Sequence, residues 1–449
     1  MKKTFSKGGI HPAAEKTASA AIRLLPLPQK AILPLRQHIG APARATVNRG
    51  DHVVRGQMVA ESISAISASV HTPVSGTVTS IENIMTPWGT PLEAIIVTAS
   101  EEEHEADSET RRLEWEQTLA AKTDLSPAKN ITPEEILLHA AKAGIVGHGG
   151  ATFPTHAKLC VRPENKIDTL IINGCECEPY LMCDDALMRN CAPRIVEGAA
   201  LMLKATGASR AIIAVEDNKT DAIAAMSTAI AEAGNAAISL EVIRTKYPQG
   251  GEKQLIEACT GRRVGSGALP ASVGVIVHNV ATAFALRQAV TAGQPLIERV
   301  VTVSGDIPVG ERRNYLAAIG TPLSALPFTM PAGNDIHIIA GGPMMGRGAV
   351  NLDAPLTKGC CGLTILSGTR RRLAQPCVRC GACVEACPMG LEPYLLSAYG
   401  SRQLWREAAV ASVTDCLECG ACSYSCPSSR PLLDFIRIAK QRARTIKQD

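Results

Sequence analysis

Hydrophobic and polar positions change rhythm several times along the chain, and each change predicts a different kind of element. Residues 41–82 alternate at short range. Stretches 45–54 and 70–78 each read as strand, turn, strand, a small all-β unit. The acidic run Glu101 to Asp107 follows and predicts a solvated linker over 99–130. A helix then starts at Thr132, with Pro133 in its first turn and Glu135 completing a capping box, and stops at Gly144. Beyond it apolar strands alternate with helical patterns. Residues 166–172, 210–215, 240–244 and 273–278 read as strands, and 184–205, 220–233, 253–259 and 281–292 as helices. That alternation predicts parallel βαβ units in a doubly wound sheet. After Gln294 the pattern becomes strand, helix, strand (299–303, 315–319, 335–339), a small α+β module. Residues 354–375 read as a connector, 376–430 are dominated by cysteine, and 431–449 form a basic amphipathic helix.

Composition narrows the class. At about 100–200 residues per domain, 449 residues predict three or four domains. Apolar residues are 46% and charged residues 20%, which is globular rather than disordered. Aromatic residues are only 3%, which argues against a nucleic-acid binder built on stacked rings. The net charge of +4 demands no strongly charged partner. An equal excess sits in the last twenty residues, where Arg430, Arg437, Lys440, Arg442, Arg444 and Lys447 face Asp434 and Asp449. That face is either solvated or set against anionic lipid or an acidic partner. No apolar stretch follows Lys2 and Lys3, so no secretory signal is expected. The longest weakly polar run, 273–286, is broken by His278 and Asn279, so no membrane span is expected either. Sixteen cysteines in a reducing compartment point to metal rather than disulfides.

Eight of them form two runs, Cys377-x2-Cys380-x2-Cys383-x3-Cys387-Pro388 and Cys416-x2-Cys419-x2-Cys422-x3-Cys426-Pro427. Three closely spaced thiolates wrap one corner of a cubane, and the fourth, before proline, ligates the other cluster in two-cluster ferredoxins. This assigns Cys377, Cys380, Cys383 and Cys426 to one [4Fe-4S] cluster and Cys416, Cys419, Cys422 and Cys387 to the other. Zinc sites use paired C-x2-C units without this proline-closed repeat. Cys160, Cys191, Cys259, Cys360 and Cys361 read as buried small hydrophobes. Cys175, Cys177 and Cys183 follow a strand, and a third metal site there has no recognised spacing.

The loop 144–158 carries Gly147, His148, Gly149, Gly150, Phe153 and Lys158 between a helix and a strand. Glycines permit close backbone approach to a phosphate, and a lysine can pair with it. It is not a dinucleotide fingerprint, which follows a strand and opens a helix. With Asn173, Glu176, Glu178 and Pro179 further on, it resembles the FMN segment of the NADH-oxidising flavoprotein subunit of respiratory complex I. The order of modules resembles the RnfC family, the cytoplasmic-face subunit of Rnf electron transport complexes. The opening Phe5-Ser-Lys-Gly-Gly-Ile-His-Pro12, the stretch 37–42, the segments 172–185, 247–255 and 277–282, and the double cysteine motif carry that likeness. The resemblance implies non-covalent FMN bound by Gly147, Gly149, Gly150, Phe153 and Lys158, with Lys158 on the phosphate. It implies that Asn173, Glu176 and Glu178 help hold NADH ribose and flavin, and that Asn279 and Thr282 lie at the flavin edge. His148, Cys175, Cys183, Gly251 and Ala281 depart from the complex I pattern.

Residues 41–98 resemble a biotinyl or lipoyl-type barrel sandwich. No lysine lies between Arg55 and Val97, so covalent biotin or lipoate is excluded and a docking or structural role expected. Residues 296–353 resemble a soluble-ligand-binding β-grasp module, in which Gly341 to Gly346 is a contact loop or a turn. The expected architecture is thus multidomain α/β and α+β. It runs 1–98 N-terminal segment and barrel sandwich, 99–130 acidic linker, 131–295 doubly wound Rossmann-like FMN/NADH domain and 296–353 β-grasp module. The connector 354–375, a ferredoxin-like two-cluster domain over 376–430 and the helix 431–449 complete it. A flavin accepts a hydride and releases electrons singly, as one-electron clusters require, and needs no catalytic side chain. The expected function is an NADH-dependent flavin/iron-sulfur oxidoreductase subunit with two [4Fe-4S] clusters and FMN, exchanging electrons with NAD(H). The family implies a peripheral subunit on the cytoplasmic face of the bacterial inner membrane, in an ion-translocating complex with integral-membrane and ferredoxin-like partners. A soluble flavin/iron-sulfur reductase of the cobalamin-reductase type and a non-catalytic ferredoxin-like relay are the alternatives.

Overall fold

The computed structural model describes residues 2–161, 164, 166–333, 335–368 and 373–445. The β unit is two small sheets face to face. Lys30–Pro34, Pro91–Thr98, Gly76–Met85 and His52–Val53 form one, and Arg44–Ala45, Met58–Glu61 and Val70–His71 the other. Leu33, Val59, Val70, Val78, Ile95 and Val97 fill the space between them. The sequence places an acidic linker next, but Glu101–Ala120 is a helix. Ser100 caps it through a capping box with Glu103, and Glu101, Glu102 and Glu103 suit the positive end of the helix dipole. It ties modules together rather than spacing them. Asp107 accepts from Ser75 N at 2.5 Å on the barrel side. Buried Arg111 donates to Glu298 at 2.6 Å and to the Leu316 carbonyl at 2.7 Å on the other.

The helix Pro133–Lys142 begins at Thr132 with the expected capping box. Four parallel strands follow in the order Ile238–Ile243, Arg210–Glu216, Thr169–Gly174, Val275–Asn279. Cys183–Thr206, Thr220–Ala233 and Glu252–Thr260 connect them, and Val280–Ala292 follows the last. The first of these is kinked at Cys191, two residues before Pro193, which lacks an amide proton and crowds the preceding turn. Gly198 lets it meet the helix Val280–Ala292 closely, since a Cβ there would fall 1.9 Å from the Ala283 carbonyl oxygen.

The third sheet departs most from expectation. Its order is Ile22–Leu24, Arg313–Ala318, Glu298–Gly305, Gly362–Ser367, Ile336–Ala340, Arg347–Gly348. The stretch expected as a helix at 315–319 is a strand, antiparallel to Glu298–Gly305. A short apolar run cannot distinguish a buried strand from a helix turn by periodicity, and pairing decides it. The expected connector supplies Gly362–Ser367, hydrogen-bonded on both sides at the centre of the sheet. The N-terminal segment supplies the edge strand, parallel to Arg313–Ala318. This module is therefore assembled from three separated pieces of chain.

Candidate functional site

In the parallel sheet the chain steps outward from Thr169–Gly174 in one direction, then returns to pair Val275–Asn279 on its other side. Ligands of open α/β sheets bind at the carboxyl ends of the strands where the order reverses. Here Asn173 and Asn279 are register partners at those ends. Asn279 caps the helix Val280–Ala292, its Oδ1 accepting from Ala281 N at 2.8 Å, and its Nδ2 donates to Asp184 Oδ2 at 2.6 Å. Asn173 Oδ1 accepts from Cys175 N at 2.9 Å and its Nδ2 donates to the Gly250 carbonyl at 3.0 Å.

The glycine loop crosses beside them. Thr282 Oγ1 accepts from His148 N at 3.0 Å, and Gly147 N donates to the Phe153 carbonyl at 2.8 Å, closing the loop. Gly149 and Gly150 are exposed, and a Cβ on Gly149 would lie 3.8 Å from the Asn279 Cβ. Gly150 has φ +56° with open space around it. Gly147, Gly149, Gly150, Asn173 and Asn279 thus gather at the crevice outside the carboxyl ends of the strands, with Gly149 and Gly150 presenting bare backbone to solvent and Thr282 buried beneath the loop. Phe153 is half-buried at the return of the loop. Lys158, on the short helix Thr155–Leu159, pairs with Glu252 at 2.6 Å. A separate cavity lined by Arg111, Trp115, His148, Phe284, Glu298 and Arg299 shares only His148 with this loop.

Glu176 and Glu178 are placed differently from expectation. Glu176 is buried and accepts from Asp184 N at 3.1 Å and the Cys183 thiol at 3.2 Å, so it caps the helix Cys183–Thr206. Burial opposes its charge, but Lys16 and Lys219 outweigh that and hold its pKa below the usual value. Glu178 Oε1 accepts from Met344 N at 2.8 Å and Met345 N at 2.9 Å. The 341–346 segment is therefore a contact loop, and a Cβ on Gly342 would sit 2.1 Å from Glu178 Cγ. The other carboxylate oxygen of Glu178, Oε2, is buried with no hydrogen bond.

Sequence reasoning missed the charges behind this wall. Lys16 Nζ donates to the carbonyls of Glu176, Glu178 and Leu181 at 2.8, 2.6 and 2.5 Å. Glu216 ends its strand fully buried, neither oxygen hydrogen-bonded. Burial pushes it up to about 7, and burial with the Glu176 charge does the same to Asp184. The strand 210–216 gave a usable signal, because a lone carboxylate closes an apolar run at the carboxyl edge. Lys16 gave none. Cys175 and Cys183 are buried thiols, the first facing the Ala214 carbonyl at 3.5 Å. Among the described residues no three His, Cys, Asp or Glu are placed to hold a single metal ion.

The two cysteine runs repeat one backbone. Arg379 and Glu418 are left-handed at φ +56° and +58°, and their amides point at Cys377 and Cys416 sulfur at 3.4 Å. Gly381 and Gly420 follow at φ +80° and +77°, opening the one-turn helices Ala382–Glu385 and Ala421–Tyr424. Cys387, with Cys416, Cys419 and Cys422, lines an apolar cavity walled by Leu396, Leu433 and Ile436. Burial raises Cys383 above the usual thiol value, and Cys426 and Cys377 lie near enough to add to it. Burial, and then the neighbouring sulfurs, push Cys419 and Cys422 up to about 12. Buried thiols this close ionise together only around a positive centre, which suits an iron-sulfur core.

The basic helix is Leu432–Ala443, and its charge does not all face outward. Lys440 is buried, donating to the Cys416 carbonyl at 2.6 Å and pairing with Glu418 at 3.0 Å, while Arg437 meets Glu418 at 3.3 Å. Lys447 and Asp449 lie outside the described residues. No helix among the described residues is long and apolar enough to cross a membrane.

Comparison with known proteins agrees with this layout. Residues 3–102 match the RnfC barrel sandwich hybrid domain, 140–288 the Nuo51 FMN-binding domain and 376–430 the 4Fe-4S dicluster domain. The chain is 41% identical over 453 residues to the C subunit of a proton-translocating ferredoxin:NAD(+) oxidoreductase complex of Clostridium ljungdahlii, covering 99% of this chain and 95% of that one. It is 39% identical over 444 residues to the C subunit of the Na(+)-translocating ferredoxin:NAD(+) oxidoreductase complex of Acetobacterium woodii, covering 97% and 96%. It is 42% identical over 403 residues to the C subunit of an ion-translocating oxidoreductase complex of Rhodobacter capsulatus, covering 87% and 74%. Among solved structures, a chain of an air-oxidised NAD+-reducing [NiFe]-hydrogenase shares the fold with TM-score 0.52 at 17% identity, over 78% of each chain. The H2-reduced form gives TM-score 0.50 at 20% identity, over 75% of this chain and 67% of that one.

Proposed function

The chain belongs to the RnfC family, the C subunits of ion-translocating oxidoreductase complexes, and on that premise we propose that it exchanges electrons between NAD(H) and FMN and relays them through two [4Fe-4S] clusters to partner subunits. One observation carries this reading. The 247–250 turn touches the flavin crevice on one side, through Gly250 O and Asn173 at 3.0 Å. On the other it touches the buried cluster cradle, through Tyr247 OH and the Cys419 carbonyl at 2.7 Å. Crevice and cradle are thus separated by a single turn of chain.

Bound flavin supplies the conversion of a hydride into single electrons. The chain's residues do the rest. Gly147, Gly149 and Gly150 admit the cofactor against bare backbone. Lys158 exchanges Glu252 for phosphate. Asn173 and Asn279 fix the strand ends beneath it. Asp184 accepts from Asn279 on Oδ2, and burial with the Glu176 charge raises its pKa to about 7, so it can take up or release a proton at the crevice near neutrality. Glu176 and Glu178 shape this wall through the backbone they anchor, and Phe153 closes the loop. In domain terms, the parallel sheet serves as the doubly wound flavin domain and the six-stranded sheet as the β-grasp module, completed by 22–24 and 362–367. The protein sits peripherally on the cytoplasmic face of the membrane, among integral-membrane and ferredoxin-like partners.

The test is anaerobic. The protein reconstituted with FMN and clusters is mixed with NADH, and visible spectra and low-temperature EPR are recorded together. Flavin bleaching with reduced [4Fe-4S] signals is expected. Clusters that form in a protein unable to retain FMN would refute the crevice assignment.

A further inference from the structure

We propose that residues 2–16 are a strap that positions Cys387, the ligand the first cysteine run lends to the buried cluster. The inference rests on the two-cluster reading above. The strap begins on the flavin domain. Lys2 pairs with Asp217 at 3.0 Å and Lys3 with Glu241 at 2.8 Å, and the Lys3 carbonyl accepts from Arg244 N at 3.0 Å. Phe5 is buried, with Lys246 Nζ 4.0 Å from its ring centre. The chain then crosses to the cluster domain. Gly9 N donates to the Ala386 carbonyl at 3.0 Å. Gly8, at φ +62°, lies so close to the Cys387-Pro388 turn that a Cβ would fall 2.4 Å from both Cys387 C and O. Only glycine combines that conformation with that approach.

The strap next returns to the flavin domain. Ile10 and Tyr247 exchange backbone hydrogen bonds at 2.8 and 2.9 Å, and Tyr247 OH reaches the Cys419 carbonyl. Ile10, Tyr247, Ala386, Cys419 and Ala421 form one apolar cluster. Lys16 then locks the 176–181 backbone. The segment that supports the Cys387 turn is thereby pinned at both ends to the flavin domain. Cys387 in turn must reach across to thiols of the second run. The strap sets where that turn stands relative to Cys416, Cys419 and Cys422, so the buried cluster and its seat beside the flavin are decided together.

The test compares full-length wild type with Gly8→Val, Gly8→Ala and the double variant Lys2→Glu/Lys3→Glu, which sets like charges against Asp217 and Glu241. Iron, sulfide and FMN content and the EPR of the reduced clusters are measured. For Gly8→Val, one of the two clusters' worth of iron is lost, FMN and the other cluster remain, and spin coupling between the clusters vanishes. Gly8→Ala shows a weaker form of the same loss. The charge-reversed pair keeps both clusters but releases the buried one severalfold faster to chelator. Gly8 variants that keep both clusters with wild-type EPR overturn the strap. If Gly8→Val does not fold, the double variant decides, and release at the wild-type rate overturns the strap. A wild-type protein that holds no pair of [4Fe-4S] clusters overturns the two-cluster reading instead.

Discussion

The two cysteine runs share spacing, left-handed turns and one-turn helices, yet their surroundings differ. In the first, Cys377 and Cys380 are exposed and Val378 between them is 66% exposed. In the second, Cys419 and Cys422 are buried, Tyr247 and Met344 pack against the loop, and Lys440 and Glu418 form an ion pair beside Cys416. The motif specifies how sulfur atoms converge. The neighbours specify solvent access, local charge and which cluster stands by the flavin. Burial and the Tyr247 contact set the second run, not the first, beside the 247–250 turn.

The largest test of this contrast is the crossing of ligands. Cys387→Ala removes the buried cluster although Cys387 belongs to the exposed run, and Cys426→Ala removes the exposed one. Iron analysis with EPR reads both, and loss of each run's own cluster instead would sink the assignment. Next comes access. On mild oxidation or chelation the exposed cluster is lost first, on the order of tenfold faster, equivalent to about 1.4 kcal/mol in barrier. Equal rates would show that the exposure difference has no chemical consequence. Lys440→Met lowers the reduction potential of the buried cluster alone, by on the order of 1 kcal/mol, because a positive charge beside it is lost while Arg437 keeps Glu418 paired. A potentiometric EPR titration that moves both clusters equally contradicts a local effect. The smallest change is Tyr247→Phe. It deletes one hydrogen bond to Cys419, costs about 1 kcal/mol, and lowers the thermal stability of the buried cluster more than that of the exposed one. Equal loss from both would place Tyr247 outside the contrast.

Much of the site was legible because its signals are local. The thiol spacing, the capping box at Thr132, and the glycines of 147–150 each act within a few residues. The paired asparagines were found through the family resemblance, and their pairing at two strand ends came only from the structure. The partners of Glu176 and Glu178 were not legible because a carboxylate in a cofactor-like motif and a carboxylate that caps a helix look alike in sequence. Their donors, Asp184 N and Met344 N, come from a later helix and another module. The helix at 101–120 was missed because its acidic first turn reads as solvation when Ser100 is not recognised as a cap. The central strand 362–367 was missed because a strand flanked on both sides has no alternation to show.

What the sequence by itself determined is a small β unit, a parallel sheet and a repeated cysteine run with cluster spacing, while the flavin chemistry and the barrel sandwich came from resemblance to known families. The elements and the cysteine run follow from periodicities and spacings that local sterics enforce. What only the tertiary structure decided is how the modules share their parts. The N-terminal segment completes a sheet near the middle of the chain and braces Cys387, the supposed connector forms a central strand, and the basic helix turns Lys440 onto a cluster loop. Those outcomes depend on contacts between residues hundreds of positions apart, such as Gly8 with Cys387 and Tyr247 with Cys419, where close packing and hydrogen-bond satisfaction override local preference.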